Sequence, residues 1–130
     1  MRFHLNQNSG VSYYLQLIKQ VQQGLQFGIL QAGDRLPTVK EVAAQTAVNP
    51  NTVLRAYREL EHDGLVVSRT GLGTFVATQV PPALAAASYR ALRGDLERWI
   101  RKARVHGVDD QRLAALFEHV LHANAEEGAA

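Results

Sequence analysis

Asn51, Arg55, Arg58 and His62 carry an amide, two guanidinium groups and an imidazole, the side-chain types that read base edges and hold phosphates. In the stretch NPNTVLRAYRELEHDGL, residues 49–65, their spacing gathers them on one side of a helix. At about 100° per residue they lie almost opposite Val53, Ala56, Tyr57 and Leu60, with Thr52 and Leu54 on the flanks. The helix has a strong start and stop. Pro50 suits the first helical position, where its missing N–H would be unpaired in any case, Asn49 can cap the free amides of the first turn, and Gly64 suits the end. A polar outer face is also what any solvated helix presents, so these residues alone leave nucleic-acid contact and plain solvation both open.

Other chemistry is sparse. His119 and His122 stand at i, i+3 and could approach a metal, but no clear third ligand accompanies them, so exposed helix residues are expected and no metal or cofactor is assigned. Cysteine is absent, which excludes disulfides and thiol chemistry. There is no nucleophile elbow, no phosphate-cradling glycine loop and no metal-binding helix motif, so an enzyme is not expected. The 130 residues allow one domain, or one small domain with an appendage, at a formal charge of +2 and an isoelectric point near 9.2. That excess lies before residue 79, where seven basic side chains face five acidic ones, against seven of each afterwards. MRFHLNQNSG lacks the apolar stretch of a signal peptide and no run is long enough to span a membrane, so a cytoplasmic protein is expected.

The elements that must position the polar face can be traced on either side of it. Tyr14, Leu17, Ile18, Val21 and Leu25 recur at helical spacing and Gly28 ends the pattern, which predicts a first amphipathic helix. QAGDRLP reads as a turn-rich connection. Thr38-Val-Lys-Glu41 reads as a capping box opening a short helix to about Gln45, and Thr46–Val48 is a tight turn. Val48 and Val53 occupy staple positions around the Asn49 cap. Two short helices in this relation make a helix-turn-helix candidate. Beyond it, residues 65–69 and 74–77 are β-branched and aromatic, and Thr70-Gly71-Leu72-Gly73 supplies a tight turn, which predicts a hairpin that would serve as a wing.

Val80-Pro81-Pro82-Ala83 marks a boundary, giving a winged helix-turn-helix domain over 1–80 and a short helical segment over 81–130. Within the latter, Leu92, Leu96, Trp99 and Ala103 form one stripe, ending near Gly107 with Arg101, Lys102 and Arg104 in the last turn. Asp109 caps a final helix whose apolar face is Leu113, Leu116, Phe117, Val120 and Leu121. The AEEGAA end is expected to fray. The predicted fold class is mainly α with a small β-hairpin: a winged helix-turn-helix followed by a two-helix dimerisation tail.

SGVSYYLQL, AGDRLPTVKEVA, VNPNTVLRAYRELEHDGLV and GLGTFV, in this order, resemble the DNA-binding module of the GntR superfamily of transcription regulators from about Ser9 to Ala77, and the two-helix tail is similar to the YtrA-like branch. The resemblance implies a homodimer on double-stranded DNA, with the second helix of the motif in the major groove and the wing at the minor groove. On matching positions it implies Lys40 at a phosphate, Asn49, Asn51, Thr52 and Arg55 at base edges or nearby phosphates with Leu54 and Arg58 on the same helix, and Thr70-Gly71 at the wing tip. Leu54 stands where other branches often have arginine and suits a thymine methyl; Leu72 stands where many wings have a cation, and Ser12 where proline is common.

Plain structural readings remain beside these. Lys40 could be solvated, and Gly71 and Gly73 are explained by the turn alone. Leu92, Leu96, Trp99, Leu116, Phe117 and Val120 are the candidate dimer interface, because the two helices would otherwise leave apolar faces in water. The resemblance implies a repressor acting on an inverted repeat that controls an operon for an ABC transporter together with its own gene, with any small-molecule effector unknown. The alternative is a winged helix used as a protein-interaction module without sequence-specific DNA binding.

Overall fold

The computed structural model describes residues 1–129, with side chains through Ala125. Among them the order is α1 (Tyr13–Gln26), α2 (Val39–Thr46), α3 (Pro50–His62), β1 (Val66–Arg69), β2 (Gly73–Val76), α4 (Ala86–Val105) and α5 (Asp110–Ala129). The chain divides into two compact units, the first ending at Ala86. No helix among the described residues is long and apolar enough to cross a membrane.

The first unit is built on one core. Leu17 and Val21 of α1, Val42 of α2, Val53 and Leu60 of α3, and Val66 and Val76 of the hairpin are fully buried, as periodicity predicts. α3 begins where its cap places it: Asn49 Oδ1 accepts from the Asn51 N–H at 2.8 Å, and Val48 and Val53 are both buried. It ends at Gly64, at φ +78, where the Gly64 and Leu65 N–H groups donate to Glu61 O and Leu60 O in a Schellman arrangement. Thr38 Oγ1 accepts from the Glu41 N–H at 3.0 Å to start α2. Between α2 and α3 the chain turns through Ala47, at φ +56, a left-handed backbone that a non-glycine residue adopts only at some cost.

QAGDRLP is more than a turn-rich connection. Arg35 forms an antiparallel bridge with Phe75, the Leu36 N–H donates to Thr74 O at 2.9 Å and the Val76 N–H to Asp34 O at 2.7 Å, so residues 34–36 lie as a short extended rung along β2. Only the Gly33 turn and the Asp34 side chain, which accepts from the Gln31 N–H, match the expectation. The rung escapes a sequence reading because its one apolar residue, Leu36, gives no period.

The N-terminal arm is also part of the core. Phe3 is only 3% exposed, and two glutamines one turn apart on α1 hold the backbone that follows it, at residues 4 and 6. Gln20 accepts from the His4 N–H and donates to His4 O, at 2.9 and 2.5 Å. Gln16, itself buried, does the same with Asn6 at 2.8 and 2.9 Å and also donates to Ser9 Oγ and Val11 O.

Tyr57 carries a testable pH dependence. Its hydroxyl donates to Pro37 O at 2.5 Å, fixing α3 to the segment ahead of α2, and burial, with the nearby Glu41 charge, raises its pKa well above the ordinary phenol value. Below about pH 10 both folded and unfolded chains keep the proton; above it only the unfolded chain loses it, so this contribution to stability is lost as pH rises past about 10. Melting temperature between pH 8 and 11.5 should fall more steeply for the parent chain than for Tyr57→Phe. Parallel curves would mean that the phenol ionises equally in both states.

The second unit holds α4 and α5. α4 ends at Gly107, at φ +75, with the Val108 N–H donating to Ala103 O, and Asp109 Oδ1 caps α5 by accepting from the Arg112 N–H at 2.9 Å. α5 runs to Ala129, into the segment expected to fray, and Ala130 lies outside the described residues.

Candidate nucleic-acid interface

The outer face of α3 is the open surface its sequence predicts. Asn51, Arg55, Arg58 and His62 are exposed while Val53, Ala56, Tyr57 and Leu60 are buried, with Thr52 and Leu54 half-buried between them. Asn51, Leu54, Arg55, Arg58 and His62 line a shallow concavity of about 520 Å³, joined by Glu59, which the sequence reading did not single out. A carboxylate there can accept from a cytosine amino group but repels phosphate. Asn49 is exposed at the end of this surface, but its carbonyl oxygen is already engaged in the cap, leaving the amide N–H₂ as its outward donor.

Lys40 is exposed at the second position of α2, close to the free amides of that helix start, where cation and amides can act on one anion. Arg55 stands apart, with its guanidinium carbon 3.7 Å from the centroid of the Tyr14 ring on α1. Lys40, Arg58 and Arg35 form no ion pair among the described residues, so their charge faces solvent.

The hairpin pairs Val66 with Val76 through Arg69 with Gly73, and its tip is a turn in which the Leu72 N–H donates to Arg69 O. Gly71 takes the third position of that turn at φ +76, where a side chain would be strained. Thr70 and Gly71 are exposed, and Leu72 is 61% exposed. Glu61 of α3 fastens the wing to the helix by accepting from the Ser68 N–H at 2.9 Å. Two cations collect at the hairpin. Arg69 lies over the Phe75 ring at 5.1 Å, and a Cβ at Gly73 would come 3.2 Å from Arg35 Nε. Arg35 was not singled out in sequence because only the rung along β2 brings it to the wing.

The second unit presents its apolar residues outward. Leu92, Leu96, Leu116, Phe117 and Val120 are 43–58% exposed and Trp99 is half-buried, and of the apolar residues of α4 and α5 with described side chains only Ala103 is buried. A groove of about 280 Å³ runs between Leu96 and Trp99 of one helix and Leu116, Phe117, Val120 and Leu121 of the other. His119 and His122 are exposed on α5, and no cluster of three or more metal-ligating side chains occurs among the described residues.

The model of the family described as "Bacterial regulatory proteins, gntR family" matches residues 13–76, the span from the start of α1 to the end of the wing. The chain is 32% identical over 109 residues to the HTH-type transcriptional repressor YtrA of Bacillus subtilis, covering 84% of each. It is 45% identical over 114 residues to the HTH-type transcriptional regulator Rv1152 of Mycobacterium tuberculosis, covering 86% of this chain and 88% of that protein. The chain belongs to the GntR family. Its DNA-binding winged helix is also similar to the AraR DNA-binding domain solved with operator ORX1, at 26% identity and a TM-score of 0.51 over 59% of this chain and 99% of that one. It is therefore a YtrA-like GntR transcription regulator, and the relatives point to no enzyme family.

Proposed function

We propose that the chain is a homodimeric repressor that binds an inverted-repeat operator. Asn51, Thr52, Leu54 and Arg55 face base edges, Asn49, Lys40 and Arg58 the phosphates, and Thr70-Gly71 the minor groove. The observation that carries this reading is the exposed polar row of α3, which offers donors, an acceptor and the Leu54 apolar surface in one open concavity. Arg35 and Arg69 join the wing contact as phosphate-binding cations. Repression is drawn from the similarity to YtrA, and an ABC transporter operon that includes its own gene is the proposed target. The apolar residues exposed on α4 and α5 support dimerisation, since two such faces removed from water would drive association.

Selection of bound duplexes from random DNA tests the reading as a whole. An enriched inverted repeat is expected; no enrichment over scrambled duplex would favour use of the winged helix as a protein-interaction module.

Two substitutions separate reading from holding. Arg55→Ala should weaken binding to the selected duplex by about 1–3 kcal/mol. Lys40→Ala should weaken selected and random duplex by similar factors and make the slope of log affinity against log salt shallower by about 0.9. Anisotropy titrations over a salt series measure both; a Lys40→Ala loss confined to the selected duplex would reassign that lysine to sequence reading.

A further inference from the structure

We infer that Tyr14 is a positioning residue for DNA recognition, whose ring holds the Arg55 guanidinium in the orientation that DNA meets. The inference rests on the proposed role of Arg55 at the interface. Tyr14 sits in the first turn of α1, half-buried and packed against the core, so its ring is a fixed platform. Arg55 is exposed in the second turn of α3, and its guanidinium carbon lies 3.7 Å above the ring centroid, the distance of a close stack. Since α1 and α3 pack directly on each other, the stack spans two elements already fixed by the core.

The chemistry of the platform matters. A carboxylate would also orient a guanidinium, but by occupying the N–H groups that DNA must use, and Arg55 has no such partner among the described residues. An aromatic face takes only the face of the cation and leaves its N–H edges free for a base or a phosphate. A long, rotamer-rich side chain held in one place before binding loses less freedom on binding, worth roughly three- to tenfold in affinity. The ring supplies the whole effect, so the phenol oxygen is dispensable. Arginine at 55 and an aromatic at 14 therefore form one functional unit, although one reads from sequence as a surface residue and the other as the first member of a core stripe.

A double-mutant cycle on the full chain tests this, using the duplex enriched from random DNA as probe and anisotropy as readout. Tyr14→Leu should weaken binding about three- to tenfold in the parent background and add nothing once Arg55→Ala is present, whereas Tyr14→Phe should bind within about twofold of the parent. Melting temperature follows the fold separately: Tyr14→Leu should lower it slightly more with Arg55 present than with Arg55→Ala, since only the former loses the stack, and every variant should stay folded at the temperature of the titrations. In the free protein, NMR resonances of the Arg55 side chain should carry an upfield ring-current shift that persists in Tyr14→Phe and vanishes in Tyr14→Leu. Equal affinity losses for Tyr14→Leu in both backgrounds, a Tyr14→Phe loss as large as that of Tyr14→Leu, or no ring-current shift would overturn the positioning role alone. Parent-like binding by Arg55→Ala would overturn both the positioning role and the placing of Arg55 at the DNA.

Discussion

A chain ended after Val80 is expected to bind the selected duplex about 10² to 10⁴ times more weakly than the full chain, while keeping its winged-helix fold. The core of the first unit, from Phe3 to Val76, lies wholly before the cut, so the reading surface of α3 survives. What is lost is the apolar surface of α4 and α5 and, in the proposed dimer, the linkage that would make binding of the second half-site intramolecular. Sedimentation should show the truncated chain as a monomer. Trp99→Ala and Phe117→Ala in the full chain should weaken the dimer, since aromatic anchors commonly dominate such interfaces. A truncated chain that sediments as a dimer and binds normally would place the interface within the first 80 residues.

Leu36→Ala should lower unfolding free energy by about 2–5 kcal/mol, a large share of what a domain of this size commands. Leu36 is 1% exposed, and its own N–H is bonded to Thr74 O, so truncation opens a cavity where the rung meets the hairpin. Leu72→Ala, at the exposed wing tip, should change stability by no more than about 0.5 kcal/mol. Urea denaturation of the two variants measures the contrast; similar small losses would mean that the rung is dispensable to the core.

Those two leucines also show what was legible in the sequence. The α3 register could be read because Asn49-Pro50 and Gly64 fix both ends and four apolar residues at helical spacing fix the inward face, leaving the outward face by subtraction. The wing could be read because β-branched residues flank a glycine-bearing turn. Leu36 could not, because it enters the core through backbone pairing with a segment almost 40 residues later, and pairing of that kind leaves no periodic trace. Arg35 inherits the same difficulty. The arm is not legible in the sequence, because a single Phe3 and two polar glutamines do not look like a packed element. Tyr14 reads from its helical spacing as facing inward, but its shared role with Arg55 depends on how α1 crosses α3, which neither helix encodes by itself.

The glutamine strap on the arm bears on how freely this end of the chain can drift. Gln20 grips the main chain of residue 4 and is indifferent to the side chain there, so substitutions at His4 should accumulate without harm, whereas Phe3 is constrained by volume. Position 6 is less free, because Asn6 Oδ1 also accepts from the Asn8 N–H as the chain turns toward α1. Proline alone is barred from both, since it would remove the N–H that each glutamine accepts from. Arms of quite different spelling can thus be interchanged across diverging lineages, provided that the two glutamines and the buried aromatic travel together.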